Sequence, residues 1–279
     1  IGFSYVGLSD HIVIAAQVET EYPYTEDGRW FAQDSGFCLD QLAVLAFLAG
    51  VTETIRLLTS VMVLPYREPL LTAKMLATAD VLSEGRVTAG VGAGWMAEEM
   101  ALLSSPPFEA RGTVTREYVE AFKVLWTEAR PAYQGKYVAF DDLLFEPKPH
   151  QRPHPPIWIG GESKPARRRA AQVGDGWYPV SNNPRAPLDT PERFGAAWRE
   201  VCAMATEAGR QPEALDAALL GLGLRLANGP IDGERRTFTG SAEQICDDIR
   251  GFQAQGLGTL VVAFESNDLN QSLDQLSAF

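Results

Sequence analysis

Apolar and polar positions fall in alternating blocks along the chain. Short runs rich in Ile, Val, Leu and Phe, at 3–9, 55–62, 86–91, 157–160, 176–180, 219–227 and 257–264, have the length and composition of buried strands. The stretches between them are longer and amphipathic. Asp40 caps a predicted helix carrying Leu42, Leu45 and Leu48. Glu68-Pro69 open the next, with proline in the first turn, where its missing N–H costs nothing; Leu70, Leu71, Met75, Ala79 and Leu82 form its expected apolar face and Gly85 ends it. A helix over about 113–128 places Tyr118, Phe122, Leu125 and Trp126 together. Thr190-Pro191 start another, with Phe194, Trp198 and Val201. The S-x-x-Q capping box at Ser241–Gln244 precedes a helix with Ile245, Ile249 and Phe252, and 269–276 reads as a closing helix.

Strand and helix alternating in this way imply a parallel sheet and an α/β fold. The expected architecture is a TIM-like (β/α)8 barrel formed as a single domain over 1–279. Such a barrel needs eight strands, so its first strand and helix are expected upstream of Ile1. A doubly wound open sheet is the alternative. Two segments interrupt the alternation: a hairpin at 133–145 and the proline-rich connector PKPHQRPHPP at 147–156. The loop at 19–37 is long, polar and aromatic, which in a compact domain marks a functional or mobile segment. There are no internal repeats and no low-complexity segments.

Composition narrows the partners. The 279 residues are 46% hydrophobic and 10% aromatic, as in an ordinary globular protein long enough to bury a sizeable core. A net charge of −12 argues against nucleic acid and anionic membrane surfaces as main partners, since both attract positive charge. No apolar run reaches membrane-spanning length, and no signal peptide is expected from these residues. The three cysteines are scattered and odd in number, which fits a reducing, cytoplasmic compartment better than a disulfide framework.

In a barrel of this kind the chemistry sits at the carboxyl ends of the strands. Those ends are Ser9-Asp10-His11, Ser60-Val61, Gly92-Ala93-Gly94-Trp95, Gly160-Gly161, Trp177-Tyr178 and Phe264-Glu265. Gly90, Gly92 and Gly94 make GxGxG, which is neither the dinucleotide fingerprint nor a P-loop. There is no HExxH and no GxSxG, and His150 and His154 lie in the proline connector, so no metal site or hydrolytic triad is expected. What remains is a glycine-lined mouth with aromatic residues and His11 as an acid–base candidate. Backbone N–H groups at the helix start after Gly160-Gly161 complete it. This set suits a flat, anionic organic cofactor.

The segments SDHI (9–12), TSVMVLPYREPLLTAKMLATADVLSEGR (59–86), VGAGWMAEE (91–99), PPFEARG (106–112) and PPIWIGGESKPARRRAAQVGDGWYP (155–179) resemble the bacterial luciferase-like flavin and deazaflavin oxidoreductases, and most of all their F420-dependent branch. The resemblance implies a TIM-like barrel with an insertion at about 104–156. It implies coenzyme F420 as cofactor, a small-molecule substrate and a homodimer. Asp10 and His11 match an acid and a histidine beside the reactive ring, with His11 the catalytic proton donor or acceptor. Ser60-Val61 match a non-proline cis peptide behind the ring. Gly92, Gly94 and Glu98 match ring-side and ribityl-side contacts, and Gly160 and Gly161 match the phosphate site. Lys164, Arg167 and Arg168 could add charge there, or form a solvated helix face; Trp95, Trp177 and Tyr178 could line the pocket or pack the core. The implied activity is hydride transfer between the deazaflavin and a small organic substrate. An FMN-dependent monooxygenase using O2 is the alternative, and a non-catalytic flavin-binding barrel the second.

Overall fold

The structure, a computed structural model, describes residues 2–30, 32–264 and 268–278. Ile1, and Glu265 just past the last expected strand, lie outside the described residues. Packing divides the chain into two compact units: residues 2–160 with 173–175, and residues 161–172 with those from 176 on.

The first unit contains β1 (Tyr5–Leu8), α1 (Gln41–Val51), β2 (Arg56–Thr59), β3 (Met62–Val63), α2 (Pro69–Leu82), β4 (Val87–Gly92), α3 (Ala97–Leu102), α4 (Arg111–Thr127), the small hairpin β5 (Tyr133–Gln134) and β6 (Ala139–Phe140), and β7 (Ile157–Gly160). β1, β2, β4 and β7 pair in parallel in that order, with Tyr5 opposite Arg56, Leu57 opposite Val87 and Ala89 opposite Ile157. Leu57, Leu58, Val87, Ala89, Val91, Ile157 and Ile159 are fully buried, which is why these strands read as continuous apolar runs rather than alternating ones.

The run expected as one strand at 55–62 is two. β2 stops at Thr59, the Ser60–Val61 peptide is cis, and the chain pairs again with β4 only at Met62. The start of α2 follows the sequence, with Glu68 capping Leu70 N and Leu71 N ahead of Pro69. Its buried face does not. Thr72, Ala73, Leu76, Ala77 and Asp80 point inward with Ala79, while Leu71 is 59% and Leu82 56% exposed, and Met75 is exposed as well. Small residues are needed inside because α4 packs closely here, close enough for Trp126 Nε1 to donate to the Ala73 carbonyl at 3.1 Å. On α4 the expected face is the buried one: Tyr118, Phe122, Leu125 and Trp126 are all in the core. Burying a large apolar side chain of this kind contributes about 1.5–3 kcal/mol. The expected insertion, 104–156, holds α4, the hairpin and the proline connector, all within this unit.

The second unit contains α5 (Lys164–Val173), β8 (Gly176–Tyr178), α6 (Pro191–Glu207), β9 (Asp216–Leu226), β10 (Thr239–Gly240), α7 (Ala242–Ala254), β11 (Thr259–Phe264) and α8 (Leu269–Ala278). β9 pairs in parallel with β8, β10 and β11. The two-residue β10 carries no apolar run and was not foreseen. The capping box is formed in full: Ser241 Oγ accepts from Gln244 N at 3.3 Å, and Gln244 Oε1 accepts from Ser241 N at 3.1 Å. Trp177 stacks on Phe194 and Trp198 with interplanar angles of 12° and 5°. Among the described residues no helix is long and apolar enough to cross a membrane.

Candidate active site

The site residues of the first unit gather where β1, β2 and β4 end. Ser60 N donates to the Leu8 carbonyl at 2.7 Å, which sets the cis Ser60–Val61 step beside the end of β1. Gly90 and Gly92 lie alongside on β4. A Cβ at Gly90 would stand 2.1 Å from the Thr59 carbonyl oxygen, and one at Gly92 would stand 2.8 Å from Val61 Cγ2. Bare backbone is therefore required at Gly90, where the obstacle is itself backbone, while at Gly92 the Val61 side chain would have to give way. Gly94 follows with φ +84°.

Asp10 and His11 follow β1 directly, and both are buried. Both Asp10 oxygens are occupied. Oδ2 accepts from Val63 N at 2.8 Å and Arg67 Nη1 at 2.7 Å, and Oδ1 accepts from Arg67 Nη2 at 2.7 Å. Burial alone would weaken the Arg67 charge, but the Asp10 carboxylate, with Asp40 behind it, more than compensates and holds the guanidinium above its ordinary pKa.

His11 Nδ1 lies 2.6 Å from Glu99 Oε2. Glu99 Oε1 accepts from Ile12 N at 2.7 Å and Val13 N at 3.1 Å. The imidazole is tilted on Trp30, centroids 4.2 Å apart, and meets the edge of Trp95 at 6.0 Å. Trp95 in turn meets Tyr22 edge-on at 5.1 Å, so the 19–37 loop and β4 supply the aromatic surroundings of the histidine. The Tyr66 hydroxyl is buried without a hydrogen bond of ordinary geometry; burial first, and then the Glu99 charge, push its pKa well up, so it stays a neutral phenol.

Glu98 faces the other way. Its Oε1 accepts from Glu19 N at 2.8 Å and Thr20 N at 2.9 Å, and its Oε2 from Thr20 Oγ1 at 2.8 Å. Burial opposes its ionisation, but these hydrogen bonds and one from its own backbone outweigh it and hold the carboxyl below the usual range.

Gly160 ends β7 in the first unit. In the second, Gly161 takes φ +105° and its carbonyl accepts from Trp177 Nε1 at 3.0 Å. Ser163 Oγ accepts from Ala166 N at 3.4 Å, and Lys164 is exposed. Arg167 is engaged by Glu200 and by the Glu162 carbonyl. Trp177 and Tyr178 are core residues here. Glu162 is buried, which raises its pKa, with Val180 N at 2.7 Å and Asn183 Nδ2 at 2.8 Å partly offsetting the rise. A cavity of about 600 Å³ lies elsewhere in this unit, lined by Leu226, Asn228, Ser241, Asp274 and Gln275 among others; it includes none of the expected site residues.

Sequence reasoning missed Glu99, Arg67, Tyr66 and Trp30. Glu98 and Glu99 stand side by side in the chain, and adjacent helical residues point about 100° apart. Nothing in the dipeptide says which of the two turns toward His11.

The residues present suit a flat organic ring. The floor formed by Val61, Gly90 and Gly92 leaves no room for further side chains, and the surrounding groups are aromatic or already neutralised in pairs. Comparison with known proteins agrees. Over 194 residues the chain is 35% identical to an uncharacterized protein of Mycobacterium tuberculosis, covering 69% of this chain and 67% of that one. It is 36% identical over 138 residues to an FMNH2-dependent dimethylsulfone monooxygenase of Pseudomonas putida (49% of this chain, 38% of the relative). It is 31% identical over 183 residues to an F420-dependent glucose-6-phosphate dehydrogenase of Microbacterium testaceum (65% and 49%). The chain thus spans about half or less of the length of these last two. A solved F420-dependent secondary alcohol dehydrogenase, bound to an F420–acetone adduct, superimposes with a TM-score of 0.76 at 18% identity, covering 98% of this chain and 88% of that one; it shows the shared TIM-like α/β fold. The sequence pattern of the luciferase-like monooxygenases matches residues 24–223, and the chain belongs to that family of F420- and FMN-dependent oxidoreductases.

Proposed function

We propose that this enzyme is an F420-dependent oxidoreductase that moves a hydride between the deazaflavin and a small, largely apolar organic substrate. The observation that carries the reading is His11, buried between Trp30 and Trp95 at the end of β1, next to the cis Ser60–Val61 step and the glycine floor of β4. Ser60, Val61, Gly92 and Gly94 would line the ring. The oxygens of Asp10 and Glu98 are taken by donors of the chain itself, so these two would serve the cofactor by fixing the loops around it. A bound reduced deazaflavin supplies a hydride. His11 supplies or removes the proton that must accompany it, as an imidazole with one donor and one acceptor nitrogen is suited to do. The aromatic surroundings exclude water and suit an apolar substrate.

FMN-dependent oxygenation is the second reading, favoured by the similarity to the dimethylsulfone monooxygenase. Fluorescence titration with F420 and FMN, oxidised and reduced, separates the two. F420 binding at micromolar concentration or tighter with weak FMN binding supports hydride transfer; the reverse preference overturns it. The reading includes a homodimer, supported by the exposed apolar residues Phe47, Leu71 and Leu82 on α1 and α2, and a cytoplasmic location, supported by free Cys38, Cys202 and Cys246.

A further inference from the structure

His11 has two ring nitrogens, and only one of them can exchange a proton with a substrate if the other is committed. Glu99 meets three consecutive residues: its Oε2 lies 2.6 Å from Nδ1 of His11, and its Oε1 accepts from the backbone N–H groups of Ile12 and Val13 at 2.7 and 3.1 Å. Glu99 is 0% exposed, so water does not compete for these contacts. It is carried by α3, at the end of a different strand from His11, and crosses 88 residues of sequence to reach it. Two backbone N–H groups converging on Oε1 favour a carboxylate, and a carboxylate can only accept. Nδ1 must then bear a hydrogen, which leaves the lone pair of the neutral ring on Nε2. Trp30 lies against the ring at 4.2 Å and Trp95 meets it edge-on, so rotation that would exchange the nitrogens is opposed by packing. Glu98 is committed to Glu19 and Thr20, Asp10 to Arg67 and Val63, and Tyr66 presents a neutral hydroxyl.

We infer that Glu99 is a positioning residue: it locks His11 in the Nδ1–H tautomer and makes Nε2 the atom that exchanges the proton. The inference deepens the proposed hydride-transfer function and rests on it for the use to which Nε2 is put. A carboxylate behind an imidazole in this way fixes tautomer and orientation without itself being the base.

The test is nuclear magnetic resonance of histidine-selectively 15N-labelled protein, free of cofactor and substrate, at a pH high enough that the His11 signals show a single ring hydrogen. Long-range 1H–15N correlations report which nitrogen carries the hydrogen, and the His11 signals are those lost in His11→Ala. The wild-type protein should show His11 as the Nδ1–H tautomer. In Glu99→Gln the amide can still accept from Ile12 and Val13 while turning its NH2 toward Nδ1, so His11 should switch to Nε2–H. The variant's kcat should fall by roughly 10²–10⁴-fold with the Kd for F420 changed less than about threefold. An Nε2–H tautomer in the wild type overturns the inference even if Glu99→Gln does not fold; a folded Glu99→Gln with an unchanged tautomer overturns it too. The spectra need no cofactor, so failure to bind F420 would sink the proposed function and leave this result standing, and the converse holds.

Discussion

Arg67 holds Asp10 with both ends of its guanidinium, Nη1 on Oδ2 and Nη2 on Oδ1, each at 2.7 Å. With Val63 N as the third donor, at 2.8 Å, this ties the segment after β1 to the segment after β3. Removing one partner of a buried pair leaves an uncompensated charge, which typically costs about 3–5 kcal/mol. Arg67→Met should lower the free energy of unfolding by that order in urea titration. Arg67→Lys, which cannot make the two-pronged contact, should fall between. An unchanged midpoint in Arg67→Met would show that the pair contributes nothing to stability.

Glu98 and Thr20 pin the entrance of the 19–37 loop. Thr20→Val, which removes the hydroxyl donor, should speed limited proteolysis within 19–37 several-fold and leave global unfolding almost unchanged. The Glu98 carboxyl is held below its ordinary pKa in the fold, so its contribution is present above about pH 4.3, the ordinary value for glutamate, and is lost as pH falls through the lower folded value. Proteolytic protection of the loop by an acid-active protease should decline over that acidic window in the wild type and less so in Glu98→Gln.

Gly90→Ala would set a methyl 2.1 Å from the Thr59 carbonyl oxygen, and the obstacle is backbone. A loss of about 1–3 kcal/mol is expected from strand displacement. Gly92→Ala meets a side-chain methyl of Val61 at 2.8 Å, which can give way. It should cost less stability and weaken binding of the ring by a larger factor, measured by fluorescence titration of the folded variant.

His11→Ala should reduce turnover by roughly 10²–10⁴-fold, the usual contribution of a general acid–base group, with cofactor affinity nearly preserved. Turnover equal to the wild type's would remove His11 from the chemistry.

Phe47 is 66% and Leu71 59% exposed on neighbouring helices. The proposed homodimer should run at twice the chain mass in light scattering, and Leu71→Glu with Phe47→Glu should shift it toward the monomer. A wild-type monomer at all concentrations tested would remove the dimer from the reading.

The sequence showed β2, β4 and β7 clearly because they are almost wholly buried and carry short apolar runs bounded by polar or glycine residues. Strand ends followed from the strands, which is why Asp10, His11, Ser60 and Gly92 could be named in advance. Two things were not legible. On α2 Leu71, Met75 and Leu82 face out while three alanines face in beside Leu76, so hydrophobicity alone pointed to the wrong side; closeness of α4 decides it. At 98–99, two glutamates differ only in their angle around a helix, and the choice between them depends on where the loop and His11 lie in three dimensions.

The single turn that begins α3 thus anchors two things at once, with one carboxylate gripping the loop at Glu19 and Thr20 and its neighbour gripping His11, Ile12 and Val13. Whatever shape the loop takes beyond Thr20, its root and the histidine are set by the same short piece of backbone. Substitutions in the loop beyond Thr20 should therefore leave the position of His11 unchanged. An insertion or deletion of one residue before Glu98 would misplace both anchors together.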